Sequence, residues 1–172
     1  MAASTSDPVK LLFVCLGNIC RSPLAEGVFR EQVRQTGLDE YFEIDSSGTG
    51  NWHVGEGADR RMQQTARDHG VSLDNHRATQ FAREDLARYD HIFVMDKSNL
   101  RDVLAQDAED RYNGKVRLFR EFDPEPGDYQ VPDPYYGGDQ GFENVFQIVE
   151  RTARTILDRL IEEHDLPRRV EG

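Results

Sequence analysis

The sequence predicts a single α/β domain: a four-stranded parallel sheet in strand order 2-1-3-4, doubly wound, with helices on both faces. Three observations predict it. Apolar runs of strand length alternate with amphipathic helical stretches along the chain. The clearest of those runs, VKLLFV at 9–14 and HIFVM at 91–95, are apolar except at Lys10 and His91, as strands covered on both faces nearly are. The 172 residues suit one core, and the chain shows neither an internal repeat nor a linker.

The elements follow in order. Val9 to Val14 reads as the first buried strand, cut off by Gly17 and Asn18. Ser22 and Pro23 then open a helix, because proline is tolerated where the helix start leaves N–H groups unpaired anyway. Leu24, Ala25, Val28, Phe29 and Val33 make its apolar face, and Gly37 stops it. Tyr41 to Asp45 is a second strand, followed by a Gly-rich loop from Ser47 to Gly57. A helix spans Ala58 to His69 and ends at Gly70, and Glu84 to Arg88 forms a brief helical turn. His91 to Met95 is the third strand, Lys97 to Gln106 a helix, and Val116 to Phe119 the fourth strand. Asp123 to Gly141 is a long loop rich in Pro, Gly and Asp. Apolar residues at helical spacing from Phe142 to Ile161 mark a long C-terminal helix. The pattern is flavodoxin-like, and in such sheets ligands bind beyond the carboxyl ends of the strands. Residues 9–164 are expected to form the domain, with short tails at 1–8 and 165–172.

Composition narrows the partners. The formal net charge of −11 disfavours nucleic acid and anionic membrane, both polyanions. A phosphate site on such a chain has to be a local positive spot made of backbone N–H groups and a few arginines. No apolar stretch approaches the roughly 20 residues that span a bilayer, and no signal-peptide pattern opens the chain. Two cysteines, Cys15 and Cys20, do not make a secreted disulfide framework. A cytoplasmic protein with reduced thiols is expected.

The segment Cys15-Leu16-Gly17-Asn18-Ile19-Cys20-Arg21-Ser22-Pro23 concentrates the chemistry. A thiol follows a strand directly. Gly17 and Asn18 are residue types that tolerate positive φ, so the backbone can curl and aim N–H groups inward. The curl runs into a helix N-terminus, which favours an anion. Arg21 adds a planar fork for two phosphate oxygens. Such surroundings favour thiolate over thiol, and the Ser22 hydroxyl is placed to hydrogen-bond the sulfur.

This loop resembles the phosphate-binding loop of low-molecular-weight protein tyrosine phosphatases. The resemblance continues in order through Ile44-Asp45-Ser46, Trp52-His53-Val54-Gly55, Asn75-His76-Arg77-Ala78, Met95 to Leu100 and Asp133-Pro134-Tyr135-Tyr136-Gly137. It implies a metal-independent phosphatase acting on phosphotyrosine proteins or small aryl phosphates. Cys15 would attack phosphorus, and Arg21 with the loop of Leu16, Gly17, Asn18, Ile19, Cys20 and Ser22 would bind the phosphate. Asp133 would protonate the leaving phenolate and then activate water. Ser46 and His76 would brace the loop with Asn18, while Trp52, Tyr135 and Tyr136 would wall the substrate cleft. Cys20 would capture an oxidised Cys15 as a reversible disulfide.

From chemistry alone Asp133 is indistinct, because Asp123-Pro124 carries the same dipeptide; only the DPYYG context selects it. His53, His69, His91 and His164 read as surface or packing residues. No cofactor and no metal are expected, and the protein is expected to be a monomer. Two other functions fit parts of the pattern. A thioredoxin-coupled arsenate reductase would share the loop but needs relay cysteines, and none follows Cys20. A non-catalytic phosphotyrosine-binding module would have no need of both Cys15 and Asp133.

Overall fold

The computed structural model describes residues 7–134 and 139–167. The expected tails at 1–8 and 165–172 fall largely outside them, as do Tyr135 and Tyr136. Four parallel strands, β1 (Val9–Cys15), β2 (Phe42–Gly48), β3 (His91–Val94) and β4 (Val116–Leu118), lie in the order β2-β1-β3-β4. The helices are α1 (Arg21–Thr36), α2 (Arg60–Asp68), α3 (Asp85–Arg88), α4 (Lys97–Leu104) and α5 (Asp139–Glu163).

Strand periodicity divides the core in two. On β1, Leu11, Phe13 and Cys15 enter one apolar cluster with α1, α2 and α5, while Leu12 and Val14 enter another with Leu86 of α3 and Val103 of α4. Successive side chains on a strand point to opposite faces, so a strand sandwiched between helices must be apolar at every position. Phe13 sits at the centre of the larger cluster, with its ring 5.6–5.9 Å from those of Phe29, Phe93 and Phe119. The continuous runs in the sequence therefore mark the two central strands.

Element boundaries differ from the sequence reading in instructive ways. Helix α1 begins at Arg21, which makes Pro23 its third residue rather than its first. The position remains compatible with proline because the first four helical N–H groups lack intrahelical partners. Tyr41 belongs to a 3-10 turn (Asp39–Tyr41), and β2 runs on to Gly48. That extension pairs Cys15 with Gly48 and carries β2 beneath the loop after β1. Gly37 caps α1 in the left-handed conformation (φ 75°), and Gly70 follows α2 with φ 81°. Helix α5 starts at Asp139, inside what reads as loop, and packs along α1.

Candidate active site

The loop from Cys15 to Arg21 joins the carboxyl end of β1 to α1. Five of its carbonyl groups, those of Cys15, Leu16, Asn18, Ile19 and Cys20, are held by donors outside the curl. Cys15 O accepts Thr49 N–H and Leu16 O accepts Gly50 N–H, both at 2.9 Å. Ile19 O accepts Asp59 N–H at 2.8 Å, Cys20 O accepts Leu24 N–H at 3.2 Å, and Asn18 O accepts His76 Nε2–H at 2.7 Å. A trans peptide directs its N–H opposite to its C=O, and the described chain has no cis bonds. The amides of Leu16, Gly17, Ile19, Cys20 and Arg21 are thereby turned toward the loop's interior. The result is a cradle of partial positive charge at a helix N-terminus.

Asn18 holds this curl together. It is fully buried with φ 58°, a left-handed conformation that asparagine tolerates better than most residues. Its Nδ2 donates to Ser22 Oγ at 2.8 Å and Ser46 Oγ at 3.0 Å, and its Oδ1 accepts Thr79 N–H at 2.9 Å. Ser46 Oγ in turn donates to Glu26 Oε1 at 2.5 Å. Gly17 does not share the left-handed backbone expected of it. Its lack of a side chain matters for space, since a Cβ there would stand 3.1 Å from the His53 ring. Gly48 is tighter still: a Cβ would meet Leu16 O at 2.7 Å and Asn18 N at 3.0 Å.

Cys15 is buried at the base of the cradle. Its Sγ lies 2.9 Å from Ser22 Oγ and accepts Asn18 N–H at 3.3 Å. Asn18 donates to Ser22 Oγ, so the single Ser22 proton is available to the sulfur or to Ser47 O at 3.3 Å. Arg21 is 3% exposed, and its Nη1 donates to Asp96 Oδ2 at 2.8 Å and Val131 O at 2.9 Å. Its Nη2 stands 3.7 Å from Asp133 Oδ2. Burial opposes the charge on Arg21, but its interactions with Cys15, Asp96 and Asp133 outweigh burial and hold the guanidinium above its ordinary pKa. Cys20 also faces the cleft. Burial, with Asp59, Cys15 and Asp133 close by, pushes its thiol far above the usual range, so it stays protonated at neutral pH.

These residues share one cleft of about 380 Å³, lined by Cys15, Leu16, Gly17, Ile19, Cys20, Arg21, Trp52, His53 and Asp133. Trp52 forms the outer wall and is 67% exposed. The two Asp-Pro pairs separate cleanly. The Asp123 side chain is fully buried and paired with Arg120 and Arg151, each at 2.8 Å, whereas Asp133 is exposed at the cleft mouth. The structure places Cys15, Arg21, Ser22, Asn18, Ser46, His76, Trp52 and Asp133 in and around this one loop and cleft. It adds Asp96, which lies in the Met95 to Leu100 segment but has no role expected of it there, along with Glu26, Thr79 and the Val131 carbonyl, which carry no local signal.

The family model for low molecular weight phosphotyrosine protein phosphatase matches residues 10–166. The low molecular weight protein-tyrosine-phosphatase of Streptomyces coelicolor is 47% identical over 150 residues, covering 86% of this chain and 91% of that protein. The human low molecular weight phosphotyrosine protein phosphatase is 40% identical over 150 residues, covering 87% and 94%. The crystal structure of a protein tyrosine phosphatase from Entamoeba histolytica superposes with a TM-score of 0.86 at 37% identity, covering 90% and 98%. Among the described residues no helix is long and apolar enough to cross a membrane. With the family model matching nearly its whole length and these relatives at 37–47% identity, the chain belongs to the low molecular weight protein-tyrosine-phosphatase family of phosphoric monoester hydrolases.

Proposed function

We propose that the protein hydrolyses phosphotyrosine monoesters through a phosphocysteine intermediate. The observation that carries this reading is the position of Cys15 Sγ at the base of a loop with five carbonyls held outward, with Arg21 and Asp133 on the same cleft. Phosphate seated in the loop places phosphorus over the sulfur. Cys15 Sγ forms the S–P bond while the P–O bond to the phenol breaks. Asp133 passes its proton to the leaving oxygen, which matters because phenolate is the conjugate base of an acid with pKa near 10. Asp133, now a carboxylate, takes a proton from water as the water oxygen attacks phosphorus, and the S–P electron pair returns to sulfur with Ser22 O–H beside it. Arg21 and the loop amides hold the equatorial oxygens throughout, where charge is concentrated.

Leu16, Ile19 and Trp52 offer an apolar rim that suits an aryl ester, and the expected contributions of Tyr135 and Tyr136 lie outside the described residues. Reduced thiols at Cys15 and Cys20 suit a reducing compartment such as the cytoplasm. Cys20, a protonated thiol on the same cleft, suits the part of a resolving cysteine for an oxidised Cys15.

Hydrolysis of p-nitrophenyl phosphate and of a phosphotyrosine peptide in EDTA tests the reading. Turnover should vanish in Cys15→Ser and fall about 10²–10⁴-fold in Asp133→Ala, the usual weight of general acid–base catalysis. No turnover by the reduced parent protein would overturn it.

A further inference from the structure

His91 and His164 are 73 positions apart, yet the fold sets their Nε2 atoms 3.0 Å from each other. The rings meet edge to face at 89°, so the two nitrogens converge on one point instead of stacking. Glu163 Oε2 lies 3.5 Å from each of these nitrogens. Three ligand atoms thus form a triangle with sides of 3.0, 3.5 and 3.5 Å. A zinc ion with tetrahedral ligands at 2.0–2.2 Å holds any two of them about 3.3–3.6 Å apart. The triangle is close to one face of that tetrahedron, and the fourth corner opens to solvent beside Glu163, which is 59% exposed.

We propose that His91, Glu163 and His164 form a binding site for a borderline-soft divalent cation, zinc above all. The donor set of two imidazoles and one carboxylate suits zinc better than calcium or magnesium, which prefer oxygen ligands alone. The ligands must present lone pairs. At 3.0 Å, the Nε2–H of one ring donates to the Nε2 lone pair of the other. When the cation binds, that ring moves its proton to Nδ1 through solvent, and both Nε2 lone pairs reach the metal. The neighbouring charges are mixed. Lys115 and Asp90 act on His91 with opposite sign, and Arg117 acts on Glu163. Lys115 is engaged by the carbonyls of Leu86 and Ala87, and Arg117 by Glu121.

His91 opens β3, Glu163 closes α5 and His164 follows it. The strands are parallel, so this site stands at the end of the sheet opposite Cys15. A bound cation fastens the end of the longest helix to a central strand, and hydrolysis does not run through it. The site therefore acts on stability.

Zinc chloride titrated by calorimetry into the Cys15→Ser/Cys20→Ser variant tests the site with no thiol able to take the metal. One equivalent should bind. Affinity should fall at least tenfold when His91→Ala or His164→Gln is added and severalfold with Glu163→Gln, and zinc should raise Tm only while the triad is intact. Cobalt(II) added to the wild-type protein gives a reading that does not depend on the cysteine variant folding. It should show the visible spectrum of a four-coordinate nitrogen and oxygen site, which His164→Gln abolishes and Cys15→Ser preserves. Absence of one-to-one binding, binding unchanged by His91→Ala and His164→Gln, or a spectrum made only of thiolate-to-metal charge transfer would overturn the proposal.

Discussion

Asp96 divides its carboxylate between two elements: Oδ1 accepts Asn99 N–H at 2.8 Å and caps α4, while Oδ2 accepts Arg21 Nη1 at 2.8 Å. The helix cap fixes the carboxylate, and the carboxylate fixes the guanidinium. Arg21 thereby reaches the cleft already oriented, with less side-chain freedom left to lose when phosphate binds.

Asp96→Asn tests this arrangement. An amide with its oxygen toward Asn99 keeps the cap but turns an NH₂ toward Arg21, removing a charge-assisted bond. Such bonds contribute about 1.5–3 kcal/mol, so kcat/KM should fall about 10–100-fold and the inhibition constant for inorganic phosphate should rise. Thermal stability should change little. Unaltered kinetics would mean that Val131 O alone suffices to orient Arg21.

Asn18 combines two demands that substitutions can separate. Asn18→Gly keeps the left-handed backbone and loses the hydrogen bonds to Ser22, Ser46 and Thr79; Asn18→Ala loses both. Alanine should therefore be less stable than glycine by about 1 kcal/mol in urea unfolding. Both should lose most phosphatase activity, because Ser22 and the loop amides are no longer held. Equal stability of the two variants would show that the backbone at this position relaxes freely.

Gly48→Ala places a methyl group against backbone atoms of Leu16 and Asn18, which cannot rotate away. Overpacking of this kind costs about 1–3 kcal/mol. The phosphate loop, rather than β2, should take up the shift. Phosphate affinity and kcat/KM should drop together, and the amide NMR shifts of residues 16–19 should move most.

Asp123 gives the fold an acid-sensitive anchor. Burial by itself would raise its pKa, but the bonds from Arg151, the Glu125 amide and Arg120 outweigh burial and hold the carboxyl below its ordinary value. A depressed folded-state pKa stabilises above the unfolded value of about 3.9 and loses that contribution as pH falls through the folded value. Asp123→Asn should cost about 3 kcal/mol at pH 7. The gap from the parent should close below about pH 4, as urea unfolding across pH 2–7 would show. A gap independent of pH would mean that packing, and not charge, carries the effect.

Much of this protein can be read along the chain because its signals are local. Residues 11–14 and 92–95 are apolar at every position, as a strand covered on both faces requires. The loop at 15–23 places a thiol, a residue tolerant of positive φ and a helix start within a few positions of one another. Family motifs then selected Asp133, which composition could not distinguish from Asp123.

Other features depend on pairs of distant residues and have no local trace. Asp96 looks like an ordinary helix cap until β3 delivers it to Arg21. Asp123 and Asp133 share a dipeptide, and only packing buries one between two arginines and leaves the other at the cleft. His91 and His164 look like unrelated surface residues until α5 returns along the sheet and brings their Nε2 atoms within 3.0 Å of each other. Periodicity and turn chemistry act over a few residues, so they can be read from neighbours in the chain. Charge pairing and metal-ligand geometry act through space at about 3 Å, and that distance exists only once the helices have docked on the sheet.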